Sequence, residues 1–360
     1  MYKVQEIILS NKEKRWLVLD DENKIVSPVM KFIKYKDYLK KSPNTLKTYC
    51  YHLKIYWDFL EKSDCSYLVM SLDKLSRFIH WLRTGMLTIG AIYAEPIRSE
   101  KTINQMVHCV VEFYDFLYRN HLISIDVKKT VLTEVFGKNK FKSFLDHLER
   151  GHQPTFSKSI LKLKEKKKTV KVINQTEFKE IFNLCSNIRN CLMILIMFET
   201  GIRAHELLNL KLEDFELSLR RIIIHKSKTK AGENRYVYFS VKLLDLFQNY
   251  VLVYHTEDIL TDYVFFNVSG LNKGKPLSYS ALQKMIQRLS MDSRISFSAH
   301  SLRHSCATNL HENGLEVSII QKILGHAHVQ TTIDMYIHPT DKMIRKSWEH
   351  AVRKDGNINE

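Results

Sequence analysis

A mainly helical (α+β) protein of two domains, with a small antiparallel β-hairpin or sheet in the second, is the fold class this sequence predicts. Three observations predict it. The chain has 360 residues, more than one ordinary core absorbs, and 44% of them are hydrophobic. Apolar residues recur at alternating spacings of three and four in the first half, the mark of amphipathic helices. In the second half RRIIIHKSKTKAGENRYVYF, residues 220–239, instead reads as two β-rich runs around a polar turn containing Ala231-Gly232.

Taken in order, residues 1–28 read as short strands, VQEIIL and RWLVLDDENKIV about a polar turn, forming a small hairpin or a β-like arm that ends at Ser27-Pro28. Residues 29–150 turn helical. Ser42-Pro43 has the form of an N-cap followed by proline in the first turn, and Leu46, Tyr49, Leu53, Tyr56 and Leu60 then make one apolar face. Ser99 opens a second such helix, with Ile103, Met106, Val110, Phe113 and Leu117 at the same spacings. Lys47, Lys54 and Lys101 fall off both stripes, toward phosphates or toward water.

Residues 151–172 form the boundary, because GHQPTFSKSILKLKEKKKTVK carries seven lysines and one glutamate and no sustained apolar period. A solvated linker and a linker that tracks a polyanion are both compatible with it. The second domain spans 173–349, with a short tail at 350–360. Asn174 or Thr176 caps its first helix. CLMILIMFETG is apolar on all sides and stops at Gly201, which describes a buried helix. After the hairpin come helices from SYSALQKMIQRLS, HSLRHSCATNLHENG and LEVSIIQKILG, then a segment carrying Tyr336.

Charge narrows the function. Lys and Arg number 55 against 39 Asp and Glu, a formal charge of +16 and a pI near 9.4, which concentrates polyanions and points to nucleic acid. A basic but otherwise ordinary soluble protein is the alternative on charge alone. Six cysteines (Cys50, Cys65, Cys109, Cys185, Cys191, Cys306) form no C-x-x-C pair, which argues against structural zinc and against a disulfide framework. The first residues carry charges inside their apolar run, unlike a signal peptide. The apolar run at 191–198 is far shorter than a membrane span. The expectation is a cytoplasmic protein with no membrane partner.

Four stretches of the second half hold the polar residues of interest. In ETGIRAHELLNL, Arg203 follows a glycine stop and precedes a helical turn, a fixed backbone with a free guanidinium suited to gripping an anion through two parallel hydrogen bonds. In HKSKTKAGENR, Lys228 sits near the hairpin tip. In SAHSLRHS, His300 and Arg303 are three apart and project to one side, off the buried face expected of Leu302, Cys306 and Leu310. His300 and His304 have zinc-ligand spacing, but Ser301 stands where the zinc-protease motif needs glutamate and the adjacent arginine repels a dication. In LGHAHVQTTIDMY, His326 follows a helix-ending glycine and Thr331 can cap the turn that carries Tyr336.

Arg203, Lys228, His300-x-x-Arg303, His326 and Tyr336, in this order and in these contexts, resemble the catalytic set of the tyrosine recombinases, the phage-integrase family. The resemblance is strong over about 174–345 and looser over 30–150, which is similar to the family's helical, SAM-like core-binding domain. Length and layout also resemble transposon-encoded members of the transposase A type; the first 30 residues stand outside the family core. The resemblance implies a two-domain clamp around DNA that acts on double-stranded recombination sites. It also implies a homo-tetramer on DNA through the C-terminal tail, accessory recombination proteins as further partners, and a bacterial, nucleoid-associated location. No cofactor and no metal are expected.

It further implies the chemistry. Cleavage by tyrosine loads negative charge onto a pentacoordinate phosphate; Arg203 and Arg303 would clamp the nonbridging oxygens, with His300 and His326 adding donors. Tyr336, whose phenol has an ordinary pKa of about 10, would be the nucleophile, His300 a candidate base, and Lys228 on a mobile hairpin the acid for the 5′-oxygen. The product would be an O-(3′-phospho-DNA)-tyrosine that conserves the phosphodiester energy, so rejoining needs no ATP. Glu206, one turn after Arg203, would orient that arginine or a neighbour, or be solvated. Met343, Ile344 and Trp348 would dock the tail on a neighbouring protomer or on its own domain. A DNA-binding protein that lost catalysis and a type IB topoisomerase are the competing readings. An intact catalytic set speaks against the first, and the helical N-terminal domain with a docking tail against the second.

Overall fold

The computed structural model describes residues 1–87, 95–136, 155–165, 170–257 and 259–326, and the chain divides into two compact units, 1–167 and 168–360. Tyr336, Thr331, Met343, Ile344 and Trp348 lie outside the described residues.

In the first unit β1 (Lys3–Ile8) and β2 (Lys14–Leu19) pair antiparallel, with Val4 opposite Val18. Alternate residues of β2 turn inward, so Trp16 and Val18 are buried in the same core as the helices that follow. Residues 3–19 are therefore a hairpin packed on the bundle, the first of the two forms the sequence allowed, and Ser27-Pro28 already belong to the next helix. Helices α1 (Ser27–Tyr38), α2 (Pro43–Lys62), α3 (Leu72–Thr84) and α4 (Glu100–Arg119) build the bundle. Ser42 and Ser99 accept from the backbone N–H of Thr45 and Thr102, closing the orphan donors at the starts of α2 and α4. All five expected apolar residues of α4 are buried; on α2 Tyr49 is only half-buried. Both helices also bury residues off the stripe, Cys50, Trp57 and Phe59 on α2 and Val107, Cys109 and Tyr114 on α4, because each has neighbours on more than one side.

After α5 (Val127–Val131), strand β3 (Leu132–Phe136) pairs antiparallel with β4 (Thr155–Ser159). The Asn104 side chain then holds Leu163 by both backbone groups, at 2.9 Å each. Residues 155–165 thus belong to the first unit, and the lysine-rich boundary at 151–172 is not a single linker. Its lysine count masked a paired strand and two leucines, Leu161 and Leu163, packed on the bundle core.

The second unit opens with α6 (Gln175–Asn183), capped by Asn174 in a reciprocal box with Glu177. Helix α7 (Ile188–Thr200) is buried on nearly every side from Leu192 to Phe198 and ends at Gly201. Around it lie the short α8 (Ala204–Leu208) and a sheet ordered β5 (Phe215–Glu216), β6 (Arg221–Ile224), β7 (Arg235–Tyr238), antiparallel throughout. Helix α9 (Val241–Tyr254), started by Ser240, was not foreseen; α10 (Tyr279–Asp292), α11 (Ala299–Glu312) and α12 (Val317–Leu324) match the expected segments. Among the described residues no helix is long and apolar enough to cross a membrane.

Candidate active site

The last turn of α12 is where the predicted polar residues meet. A helix leaves its final carbonyls without intrahelical partners, and its C-terminal end is the negative pole of the helix dipole. Here three consecutive carbonyls are taken by three arginines. Arg235 Nε donates to the Ile323 carbonyl at 2.8 Å, Arg303 Nη2 to the Leu324 carbonyl at 2.7 Å, and Arg203 Nη2 to the Gly325 carbonyl at 3.0 Å. Gly325 makes the turn possible. Its φ is +65°, and a Cβ there would stand 2.5 Å from the Gly232 Cα, so only glycine lets the β6–β7 loop come this close.

Each arginine arrives from a different element. Arg203 stands at the start of α8, its own N–H donating to Glu206 Oε2 at 2.8 Å. Its Nη1 reaches Glu206 Oε1 and Ser227 Oγ, both at 3.0 Å. The guanidinium is therefore engaged before any ligand arrives, not free as the sequence suggested. Among the described residues its Nε makes no hydrogen bond and remains a donor for an anionic oxygen.

Arg303 departs from expectation more sharply. It does not lie off the buried face of α11: it is 4% exposed, and its Nη1 also donates to the Gly201 carbonyl at 2.6 Å. Helix α11 packs against α7 and against α12, so Ser301 to Ala307 are all buried and no open side exists there. His300, one turn earlier, does remain exposed. Partial burial and the Arg303 charge lower its pKa.

Lys228 is exposed, but both its neighbours are tied down. Ser227 Oγ donates to Glu206 Oε1 at 2.7 Å, and Thr229 Oγ1 donates to the Gly325 carbonyl at 3.0 Å. The expected mobile tip is, at this point, anchored on two sides.

Glu206 is not a solvated residue; its side chain is fully buried. Burial alone would raise its pKa, but the paired Arg235 hydrogen bonds and charge, with the Arg203 N–H and Ser227, outweigh it and hold the carboxyl at about 2. His326 is buried beside the same group. Burial first, then the charges of Arg303, Arg203 and Arg235, push its pKa down to about 3, which leaves the imidazole neutral near pH 7. Gln321 fixes its backbone by accepting from the His326 N–H and donating to its carbonyl, both at 3.1 Å.

So the described structure brings Arg203, Arg303 and His326 together, with Lys228 on the adjoining loop and His300 a turn along α11. Arg235 and Ser227 escaped the sequence reading. One signal was available for Arg235: on β7 it shares the inward face with Val237, and a charge on the apolar side of a strand needs a buried partner.

A helical first unit, a mixed second unit and arginines converging on one helix end define a class of protein built to hold a phosphodiester. The chain belongs to the phage integrase family of tyrosine recombinases, enzymes that cleave and rejoin DNA strands. Residues 171–343 match the phage integrase family, and residues 32–121 match its N-terminal SAM-like domain. The chain is 36% identical to transposase A from transposon Tn554 of Staphylococcus aureus, with 98% of each chain covered. It is 28% identical to tyrosine recombinase XerA of Pyrococcus furiosus, covering 89% of this chain and 92% of that one. Among solved structures it shares its fold with the Tn1549 transposon integrase in complex with a circular intermediate DNA (TM-score 0.64, 16% identity, 90% and 98% covered). A lambda integrase dimer bound to a core site shares it too (TM-score 0.60, 13% identity, 86% and 76% covered).

Proposed function

We propose that this chain is a site-specific recombinase of a mobile element that cuts and rejoins double-stranded DNA through Tyr336, for integration or excision. The observation that carries the reading is the convergence of the Arg203 and Arg303 guanidinium groups on one turn, beside a neutral His326. A phosphodiester laid against that turn would meet the Nε donor and charge of Arg203 and the charge of Arg303, whose plane is set by two carbonyls. His326 would add a neutral N–H donor, which stabilises a developing oxyanion without crowding a third charge into the pocket.

In the cleavage step, Tyr336 gives its proton to His300 and its oxygen attacks phosphorus. The P–O5′ bond breaks and Lys228 protonates the leaving 5′-oxygen. A lowered pKa suits His300 to this task, since the base must start neutral. The 3′-phosphotyrosyl ester is then attacked by the 5′-hydroxyl of another strand, and the proton transfers run in reverse.

The first unit would serve as the core-binding half of a clamp around DNA, and the lysines on both sides of the 167/168 boundary would follow the backbone. Four copies would assemble on paired sites through the tail that holds Met343, Ile344 and Trp348, with accessory proteins as further partners, in the bacterial cytoplasm. Transposase A of Tn554 supports the mobile-element reading.

The test is covalent trapping on a nicked suicide substrate. Tyr336→Phe abolishes the protein–DNA adduct while binding to the site stays at the wild-type level. An adduct that persists in this variant sinks the assignment.

A further inference from the structure

The β6–β7 loop carries Lys228, and besides Arg203, which reaches Ser227, the side chain that holds the loop has no part in the reaction as assigned. We infer that Arg235 is the positioning residue for Lys228, locking the loop to α8 and to the end of α12 so that the ammonium group stands at the leaving oxygen. The inference rests on the reading of Lys228 as the general acid.

The geometry is specific. Arg235 is 7% exposed and engages all three guanidinium nitrogens internally. Nη2 donates to Glu206 Oε2 at 2.6 Å and Nη1 to Glu206 Oε1 at 3.2 Å, a fork on the carboxylate that also holds Arg203 and Ser227. Nη1 also donates to the Gly232 carbonyl at 2.5 Å, within the loop itself, and Nε donates to the Ile323 carbonyl on α12. One side chain therefore clasps the loop, the Glu206 carboxylate of α8 and the last turn of α12.

Two further contacts work with it. Gly232 presses on Gly325 so closely that a Cβ on Gly325 would lie 2.5 Å from the Gly232 Cα. Thr229, next to Lys228, donates to the Gly325 carbonyl at 3.0 Å. Lysine is a flexible four-carbon stem with a point charge at its end. Its backbone anchor therefore sets how often the ammonium group reaches a given oxygen, and loss of the clasp should act as partial loss of the acid.

That consequence is separable from general damage. When the scissile 5′-oxygen is replaced by sulfur, the leaving thiolate needs no proton, so a defect confined to the general acid disappears while a defect in the phosphate clamp does not. The experiment measures single-turnover cleavage of oxygen and 5′-bridging sulfur suicide substrates by the full-length chain. Lys228→Ala, Arg235→Gln and Thr229→Val are compared with wild type.

Arg235→Gln should slow the oxygen substrate by about 100-fold, the scale of a lost general acid. The sulfur substrate should remain within about fivefold of wild type, by the same logic. Thr229→Val, which disturbs no buried charge, should show the same selectivity with a loss of about tenfold on oxygen. Equal losses on both substrates in both variants, with Lys228→Ala rescued by sulfur, overturn the role of Arg235 alone. Absence of sulfur rescue in Lys228→Ala overturns the general-acid reading and this inference with it. Should Arg235→Gln fail to fold, Thr229→Val decides.

Discussion

The two units bury polar groups in opposite ways. The core of the first is a continuous aromatic cluster in which Tyr56 meets Trp57, Phe59, Phe78 and Tyr114, and Phe113 meets Phe32 and Trp57. Its buried polar residues, Lys36, His52 and Asp58, sit apart from one another on separate stretches of helix. In the second unit Glu206, Arg235, Arg303 and His326 are all buried, and all four lie around the last turn of α12. Interiors charge heavily for unpaired ions, so a protein concentrates them only where each has a partner. The contrast teaches where function is stored: the first unit is organised by shape, while the second gathers most of its buried charge among the described residues, Asp214 apart, around one electrostatic centre.

The sharpest way to break this contrast is to damage the aromatic core. Phe59→Ala should destabilise the first unit by about 3–5 kcal/mol, the usual cost of emptying a buried phenyl site. Trp16, Trp57 and Trp81 lie in that unit and only Trp348 in the other, so tryptophan emission during urea unfolding reports it. Cleavage of DNA already bound should stay unchanged per folded molecule; a loss there would mean the electrostatic centre depends on the aromatic one.

Arg303→Lys probes the other side. Lysine cannot donate to the Gly201 and Leu324 carbonyls and grip a phosphate in one plane, so cleavage should fall by about 100- to 1000-fold. Urea unfolding followed by tryptophan emission should hardly move, and a shifted midpoint in that signal would erase the distinction between the units.

Acidity gives the next effect. His326 has a folded pKa near 3, below the unfolded value of about 6.5, so the unfolded chain binds more protons between these pH values. Stability therefore falls as pH drops through that window, by up to about 1.4 kcal/mol per pH unit for one group. Glu206, held near 2, adds loss only below its ordinary range, about pH 4.3. His326→Gln should flatten the decline of the second unit's melting temperature between about pH 6 and 4.5, an interval set by these pKa values. An unaltered slope would show that the buried imidazole is not what the acid attacks.

The smallest effect belongs to Tyr56→Phe, which removes a 2.7 Å hydroxyl pair with Tyr114 but leaves Tyr114 donating to the Tyr67 carbonyl. A loss of about 1 kcal/mol is expected, because shape rather than hydrogen bonding holds this core. Several kcal/mol in urea unfolding would reverse that view.

What could be read from the chain follows from how local each cause is. Ser42-Pro43 and Ser99 were readable because a cap is formed by neighbours in sequence, and Gly325 because a helix stop is local as well. The six catalytic candidates were readable only through order and context. Arg303 shows the limit: its spacing from His300 was right, but a periodic pattern assumes one buried side, and α11 is enclosed on two. Glu206 was readable as a partner of Arg203, one turn away, but its pairing with Arg235, 29 residues on, needed tertiary structure. Leu163 was hidden for a different reason: Asn104, 59 residues away, holds it, while its own neighbourhood shows mainly lysines.

Gly232 and Gly325 meet backbone to backbone, and this sets the smallest piece of the molecule that can be exchanged with a relative. A chimera that imports the loop from 224 to 235 replaces Thr229, Gly232 and Arg235 but leaves their partners Gly325 and Ile323 behind. The transplantable module is the β6–β7 hairpin together with α12 and its closing turn, two segments far apart in sequence that must be changed as one.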